Sequence, residues 1–344
     1  MRLLTYYMAT LLSIGSIIYK GLTMRYRPVI SSTRLIIRQY STQQPNTNFT
    51  SVPTLVSAKW AAANIHKCRV LDCSWYMPSD QRDVYSEYVK HRIPSARKFS
   101  IDECSDKSSI YPHMLPPVSQ FEYYAAHELG VKETDNILLY DTAGIFSAPR
   151  VWLTFHIYGH RGRIFVLDGG IQSWTAEQLP VADGEPKPVP HVHYSSKFNS
   201  SMVKNIDDII DNIQSKQFTV LDARSTARFT GKVSEPRPIP SGHIPNSINI
   251  PFSELLSKQH NITTMKPVNE LQSLFKAKNI DLDLVKSGQQ RITTSCGSGV
   301  TASIISLALD RVGIPPQSIS LYDGSWSEFA HVGKTNKKAI IETS

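Results

Sequence analysis

The sequence carries an internal duplication. The stretch "RVLDCSWYM" from Arg69 returns as "TVLDARSTARF" from Thr219, "HRIPSARKFSIDE" from His91 as "GHIPNSINIPFSE" from Gly242, and "VLDGGIQSW" from Val166 as "LYDGSWSEF" from Leu321. The pairs Asp72 and Asp222, Pro94 and Pro245, and Asp168 and Asp323 are separated by 150, 151 and 155 residues. A near-constant offset of this length means a doubled domain, because solenoid repeats recur every 20 to 50 residues or so. The 344 residues are enough for two domains, each with its own core. Between the copies, "LPVADGEPKPVPHVHYSS" is rich in proline and polar residues and reads as an extended linker. The expected organisation is a first domain over 52–180, a linker over 181–200 and a second domain over 201–333.

Within each copy, short β-branched runs alternate with helical patterns. "NILLYD", "SAPRVWLTFHIYGH" and "RIFVLDG" form one such series, and "QRITTS", "VTASIISLALDRVG" and "SISLYDG" the other. Strands alternating with helices of this length imply right-handed βαβ units around a parallel sheet. The fold class expected is therefore α/β, with two small doubly wound domains. Ligands in such sheets bind beyond the carboxyl ends of the strands, where strand-to-helix loops gather.

Cys296 stands at such a place, in "RITTSCGSGVTA" between a strand and a helix. The Gly-Ser-Gly loop can turn successive backbone N–H groups toward the sulfur and, with the helix N-terminus, stabilise a thiolate. Gly297 and Gly299 are expected to supply positive φ angles there. Cys68, Cys73 and Cys104 lack this context and read as small hydrophobes. The four cysteines show no CxxC and no disulfide framework, and no Cys/His cluster has zinc spacing, so neither metal nor cofactor is called for. In the first copy Asp141 falls opposite Cys296, which makes that copy an inactive one that closes a wall of the site.

Charge excludes a nucleic-acid reading. No acidic residue precedes Asp72, and six basic residues lie in the first forty positions; the rest holds 31 Lys and Arg against 29 Asp and Glu. The folded part is thus nearly neutral and has no basic patch. The opening segment, Arg- and Ser-rich and closing on "RLIIRQYSTQQ", resembles a mitochondrial presequence cleaved after Tyr40, with Met24 as an alternative start. A membrane anchor is the rival reading of "LLTYYMATLLSIGSIIY", but the run is shorter than the roughly 20 apolar residues a span needs. The protein is expected in mitochondria, with a cytoplasmic pool also open, and without stable membrane insertion.

Two cysteine chemistries use such a loop. A phosphatase would need an arginine six residues after the cysteine to fork onto phosphate, and Ala302 stands there. The duplication, "CGSGVTA", "DGSW", "GHIP", "SAPRVW" and "VLDCSWYMPSDQRDVYSEY…IDE…YPHMLP" resemble the two-domain rhodanese-like sulfurtransferases, and among them the 3-mercaptopyruvate type, from about residue 52 to residue 330. The resemblance implies a sulfane sulfur carried as a persulfide on Cys296, taken from mercaptopyruvate or secondarily thiosulfate. The acceptor would be cyanide, a thiol, thioredoxin, or a rhodanese-domain partner in tRNA thiolation. It also implies that Arg228 in "ARF" and Arg237 in "EPR" bind the donor carboxylate, which suits the guanidinium fork. Ser298 takes the place of a proton-handling serine, and Gly297, Gly299, Val300 and Thr301 form the loop around the donor sulfur. The family's Asp and His relay would fall on Asp83 and on Arg92, with His91 one residue earlier, so Arg92 is expected to serve as a further cation for the donor. Uncharged Gly297 and Ser298 favour mercaptopyruvate over the thiosulfate dianion.

Overall fold

The computed structural model describes residues 49–333 and 341–343; the expected presequence lies outside them. Two five-stranded parallel sheets repeat one topology. In the first, β1 (Leu55–Val56), β2 (Cys68–Asp72), β3 (Arg97–Lys98), β4 (Asn136–Tyr140) and β5 (Ile164–Leu167) lie in the order β1-β5-β4-β2-β3. In the second, β6 (Val203–Lys204), β7 (Thr219–Asp222), β8 (Ile248–Asn249), β11 (Ile292–Ser295) and β12 (Ile319–Tyr322) lie in the order β6-β12-β11-β7-β8. The central strands β4, β5, β11 and β12 are buried along their length, apart from Asn136 at the start of β4, because helices cover both faces, as parallel sheets require.

One stretch of the repeat takes different forms in the two copies, and among the described residues only the second copy makes it a hairpin. The hairpin β9 (Leu256–Gln259) and β10 (Ile262–Met265) is antiparallel, with His260 and Asn261 both at positive φ in its two-residue turn, the geometry that matches strand twist. It reaches the first domain: the Met265 N–H donates to Asp168 Oδ1 at 2.9 Å.

The helices Ala148–Ile157 and Ala302–Arg311 follow β4 and β11. Each is apolar nearly all round and almost wholly buried, which a surface helix could not be. They pack on one another, and Val151, Leu153, Ala302, Ile305 and Leu309 belong to one core that runs through both domains. The linker chain is extended across this unit, and Arg92 and Ala182 exchange backbone hydrogen bonds where it leaves the first domain. Among the described residues no helix is long and apolar enough to cross a membrane.

Candidate active site

Cys296 is the residue after β11, and its loop ends at the helix that begins with Ala302. The loop is held from outside. The Cys296 carbonyl accepts from the Trp326 N–H at 3.0 Å, and the Gly297 carbonyl from the Ser327 N–H at 3.0 Å. The Gly299 carbonyl accepts from Arg150 Nη1 at 3.2 Å. A trans peptide sets each N–H opposite the preceding carbonyl, so the N–H groups of Gly297, Ser298 and Val300 point away from those outer partners. Only Gly299 of the two loop glycines has positive φ, at 79°. Gly297 is glycine for another reason: a Cβ there would lie 2.9 Å from Arg228 Nη2.

The loop opens on a cavity of about 320 Å³ whose lining includes Cys296, Gly297, Ser298, Val300, Thr301, Arg224, Arg228 and Arg237 from the second domain. Trp75, Met77 and Phe146 from the first domain form the facing wall. Cys296 itself is 2% exposed. The other thiols are unsuited to act as nucleophiles: burial pushes Cys68 up to about 11, Cys104 up to about 12 and Cys73 well above its ordinary value.

Three guanidinium groups face two carboxylates beside the sulfur. Arg224, fully buried, makes a bidentate pair with Asp222 and reaches Glu235 Oε1 at 2.8 Å. Glu235, also buried, holds Arg228 through Nη2 at 2.5 Å and Nε at 3.2 Å. Arg237 has no carboxylate within ion-pair distance among the described residues. Burial, and then the neighbouring Arg228, lower its pKa. The cavity therefore holds three guanidinium groups against two carboxylates, a half-buried excess of positive charge that favours an anionic visitor. Arg224 is a structural anchor, and Glu235, unread in the "EPR" motif, orients Arg228.

Ser298 finds a histidine across the domain boundary. His113 Nδ1 lies 3.0 Å from Ser298 Oγ, and His113 Nε2 lies 3.2 Å from Asp102 Oδ1. The Trp75 indole donates to Asp102 Oδ2 at 3.0 Å and meets the His113 ring edge-on at 4.9 Å. Hydrogen bonding from His113 holds the Asp102 carboxyl below the usual carboxylate range. In the Nε2–H tautomer His113 donates to Asp102, and its Nδ1 accepts from the Ser298 hydroxyl.

The structure corrects the relay expected from sequence. Asp83 is an exposed N-cap of the helix Val84–Lys90: its Oδ1 accepts from the N–H groups of Tyr85 and Ser86, and its Oδ2 from the Ser86 hydroxyl, the ordinary work of a capping aspartate. Arg92 is buried in the first domain, donating to the carbonyls of Val89 and Gly184 over the Tyr88 ring. Neither lines the cavity of Cys296. His91, the other candidate, meets Thr175 Oγ1 at 3.3 Å.

The corresponding loop in the first domain is closed on itself. The Asp141 carbonyl accepts from the Ile171 N–H at 3.2 Å, the counterpart of the Cys296 to Trp326 contact. Its carboxylate accepts from the N–H groups of Ala143, Phe146, Ser147 and Ala148, each at 2.9 Å. Those donors have no capacity left for a ligand.

Comparison with known proteins agrees with this geometry. The model of the rhodanese-like domain matches the chain twice, over residues 57–177 and 205–331. The chain is 38% identical over 284 residues to human 3-mercaptopyruvate sulfurtransferase, covering 80% of this chain and 91% of that one. It is 40% identical over 271 residues to a probable 3-mercaptopyruvate sulfurtransferase of Schizosaccharomyces pombe, covering 77% and 87% respectively. Among solved structures, the sub-stoichiometric sulfur transferase subunit of yeast mitochondrial complex I matches with a TM-score of 0.74 at 32% identity, over 85% of this chain and 100% of that one.

Proposed function

The chain belongs to the rhodanese-like family and is a sulfurtransferase, and from that premise we propose that it takes sulfur from 3-mercaptopyruvate onto Cys296. The Cys296 thiolate attacks the donor's thiol sulfur. The carbon–sulfur bond breaks, and its electron pair passes to the carbonyl as the enolate of pyruvate. The proton that began on the donor thiol returns to the enolate carbon through Ser298 and His113, while Asp102 stabilises the imidazolium that forms. Pyruvate and a Cys296 persulfide result. The outer sulfur then passes to a thiol, cyanide, thioredoxin or a protein acceptor, and thiosulfate is the secondary donor.

The observation that carries the donor assignment is that Arg237, next to Arg228, has no carboxylate within ion-pair distance among the described residues. It suits one carboxylate held by two guanidinium forks, with the apolar wall of Trp75, Met77 and Phe146 against the donor's methylene. Uncharged Gly297 and Ser298 at the sulfur itself argue against a dianion there. Comparing kcat/KM for the two donors, by pyruvate and by sulfite release, tests this; a higher value for thiosulfate contradicts it.

The first domain carries no nucleophile of its own, since Asp141 occupies its loop; it closes the site and supplies His113 and Asp102. The acid-free basic segment before residue 41 supports mitochondrial import, in keeping with the mitochondrial setting of the yeast neighbour. N-terminal sequencing of protein from purified mitochondria should then begin at Ser41.

A further inference from the structure

Arg150 belongs to the first domain, yet its guanidinium serves the second. It sits in the first turn of the helix Ala148–Ile157 and is 3% exposed. Nη1 donates to the Gly299 carbonyl at 3.2 Å, and Nη2 donates to the His113 carbonyl at 2.7 Å and to Asp323 Oδ1 at 2.8 Å. Asp323, itself buried, uses its other oxygen to accept the Leu115 N–H at 2.6 Å. The Arg150–Asp323 pair thus grips the backbone on both sides of the Ser298–His113 hydrogen bond: Gly299 follows Ser298, and the His113 carbonyl and Leu115 N–H flank the imidazole's own segment. His113 stands at a φ of 63°, a left-handed conformation that a non-glycine residue keeps only when its surroundings fix it.

The duplication supplies an internal control. At the equivalent contact between the domains Asp168 accepts the Met265 N–H at 2.9 Å, as Asp323 accepts that of Leu115. That equivalence sets Thr263 opposite His113 and, at the offset of the nucleophile loops, Ile305 opposite Arg150. The carboxylate-to-backbone contact between domains therefore forms without an arginine at this position. The arginine stands only at the domain contact that also brings together a cysteine, a serine and a histidine.

We propose that Arg150 is a positioning residue for sulfur transfer: by bridging Gly299, His113 and Asp323 it sets the distance between Ser298 and His113, so that the chemical step depends on how the first domain is docked. This rests on the role assigned above to Ser298 and His113. A fork of N–H donors reaching three acceptors is a geometry that a lysine ammonium cannot reproduce.

The test is a double-mutant cycle of Arg150→Lys and Ser298→Ala in the full chain, read as single-turnover pyruvate release from mercaptopyruvate and as KM. Arg150→Lys should slow release about tenfold or more with KM within about twofold, because Arg228 and Arg237 are untouched, and should cause no further slowing in the Ser298→Ala background. Wild-type release in Arg150→Lys, or slowing that multiplies that of Ser298→Ala, overturns the inference while leaving the relay standing. Wild-type release in Ser298→Ala alone overturns both. Circular dichroism and thermal melts establish folding; should Arg150→Lys not fold, Asp323→Asn, which loses the pair but keeps the guanidinium, takes its place in the same cycle with the same expected outcomes.

Discussion

His113 and Ser298 lie 185 positions apart in the chain, on different domains, and their side chains meet at 3.0 Å. The contact makes the cavity a joint product of both copies. His113→Asn should leave donor KM within a few-fold of wild type and lower kcat about 100-fold or more, the loss expected of a positioned proton carrier. Stopped-flow measurement of pyruvate release checks it; an unchanged kcat removes His113 from the mechanism.

Arg228 and Arg237 make separable demands. Arg237→Ala removes a cation that no carboxylate among the described residues pairs with, so it should cost about 2–4 kcal/mol in kcat/KM for mercaptopyruvate and leave the melting temperature nearly unchanged. Arg228→Ala should cost a similar amount in kcat/KM and also about 1–3 kcal/mol of stability, since buried Glu235 loses one of its two partners. Kinetics paired with denaturant unfolding distinguish the two.

The loop glycines should fail in different ways. A Cβ on Gly297 meets only the flexible end of Arg228, so Gly297→Ala should raise mercaptopyruvate KM several-fold with little change in stability. At Gly299, with φ of +79°, a Cβ would lie 2.6 Å from Arg150 Nη1 and 3.0 Å from the Asp323 carbonyl. Gly299→Ala should therefore destabilise the protein by roughly 1–3 kcal/mol and lower kcat.

Much of this was legible in the sequence, and the gaps have physical causes. The repeat fixed two α/β domains, and the glycine-flanked turn after an apolar strand marked Cys296, because both are local patterns. The pairing of Asp102 with His113, and of His113 with Ser298, leaves no such trace: it is made across domains by a segment between elements. Motif alignment led instead to Asp83 and Arg92, which cap and brace the first domain. A usable signal lay in the duplication itself, where Asp102 and His113 stand opposite Ser253 and Thr263, titratable in one copy and not in the other. The "GHIP" histidine, His243, stacks on Phe229 and bonds its carbonyl, which shows that this motif is structural here.

Stability should fall on the acid side. Burial pushes the His160 pKa down to about 4 from an ordinary 6.5, outweighing the Asp135 carbonyl at its Nε2, which favours the protonated ring. A depressed folded-state value means that the unfolded chain takes up the proton first. The contribution is complete above about pH 6.5 and is lost as pH falls toward 4, amounting to about 2 kcal/mol by pH 5. Urea unfolding of wild type and His160→Gln at pH 7.5 and 5 should show a smaller pH dependence in the variant; equal slopes contradict this.

Cys296 is the sulfur carrier on which the whole mechanism rests. Residues 41–344 incubated with mercaptopyruvate, then analysed by intact mass and peptide mapping, should gain one sulfur atom on Cys296 with one pyruvate released. Cys296→Ser should gain none, whereas single replacements of Cys68, Cys73 or Cys104 should still gain it. A sulfur adduct that persists in Cys296→Ser, or maps to another cysteine in the wild type, would contradict the account.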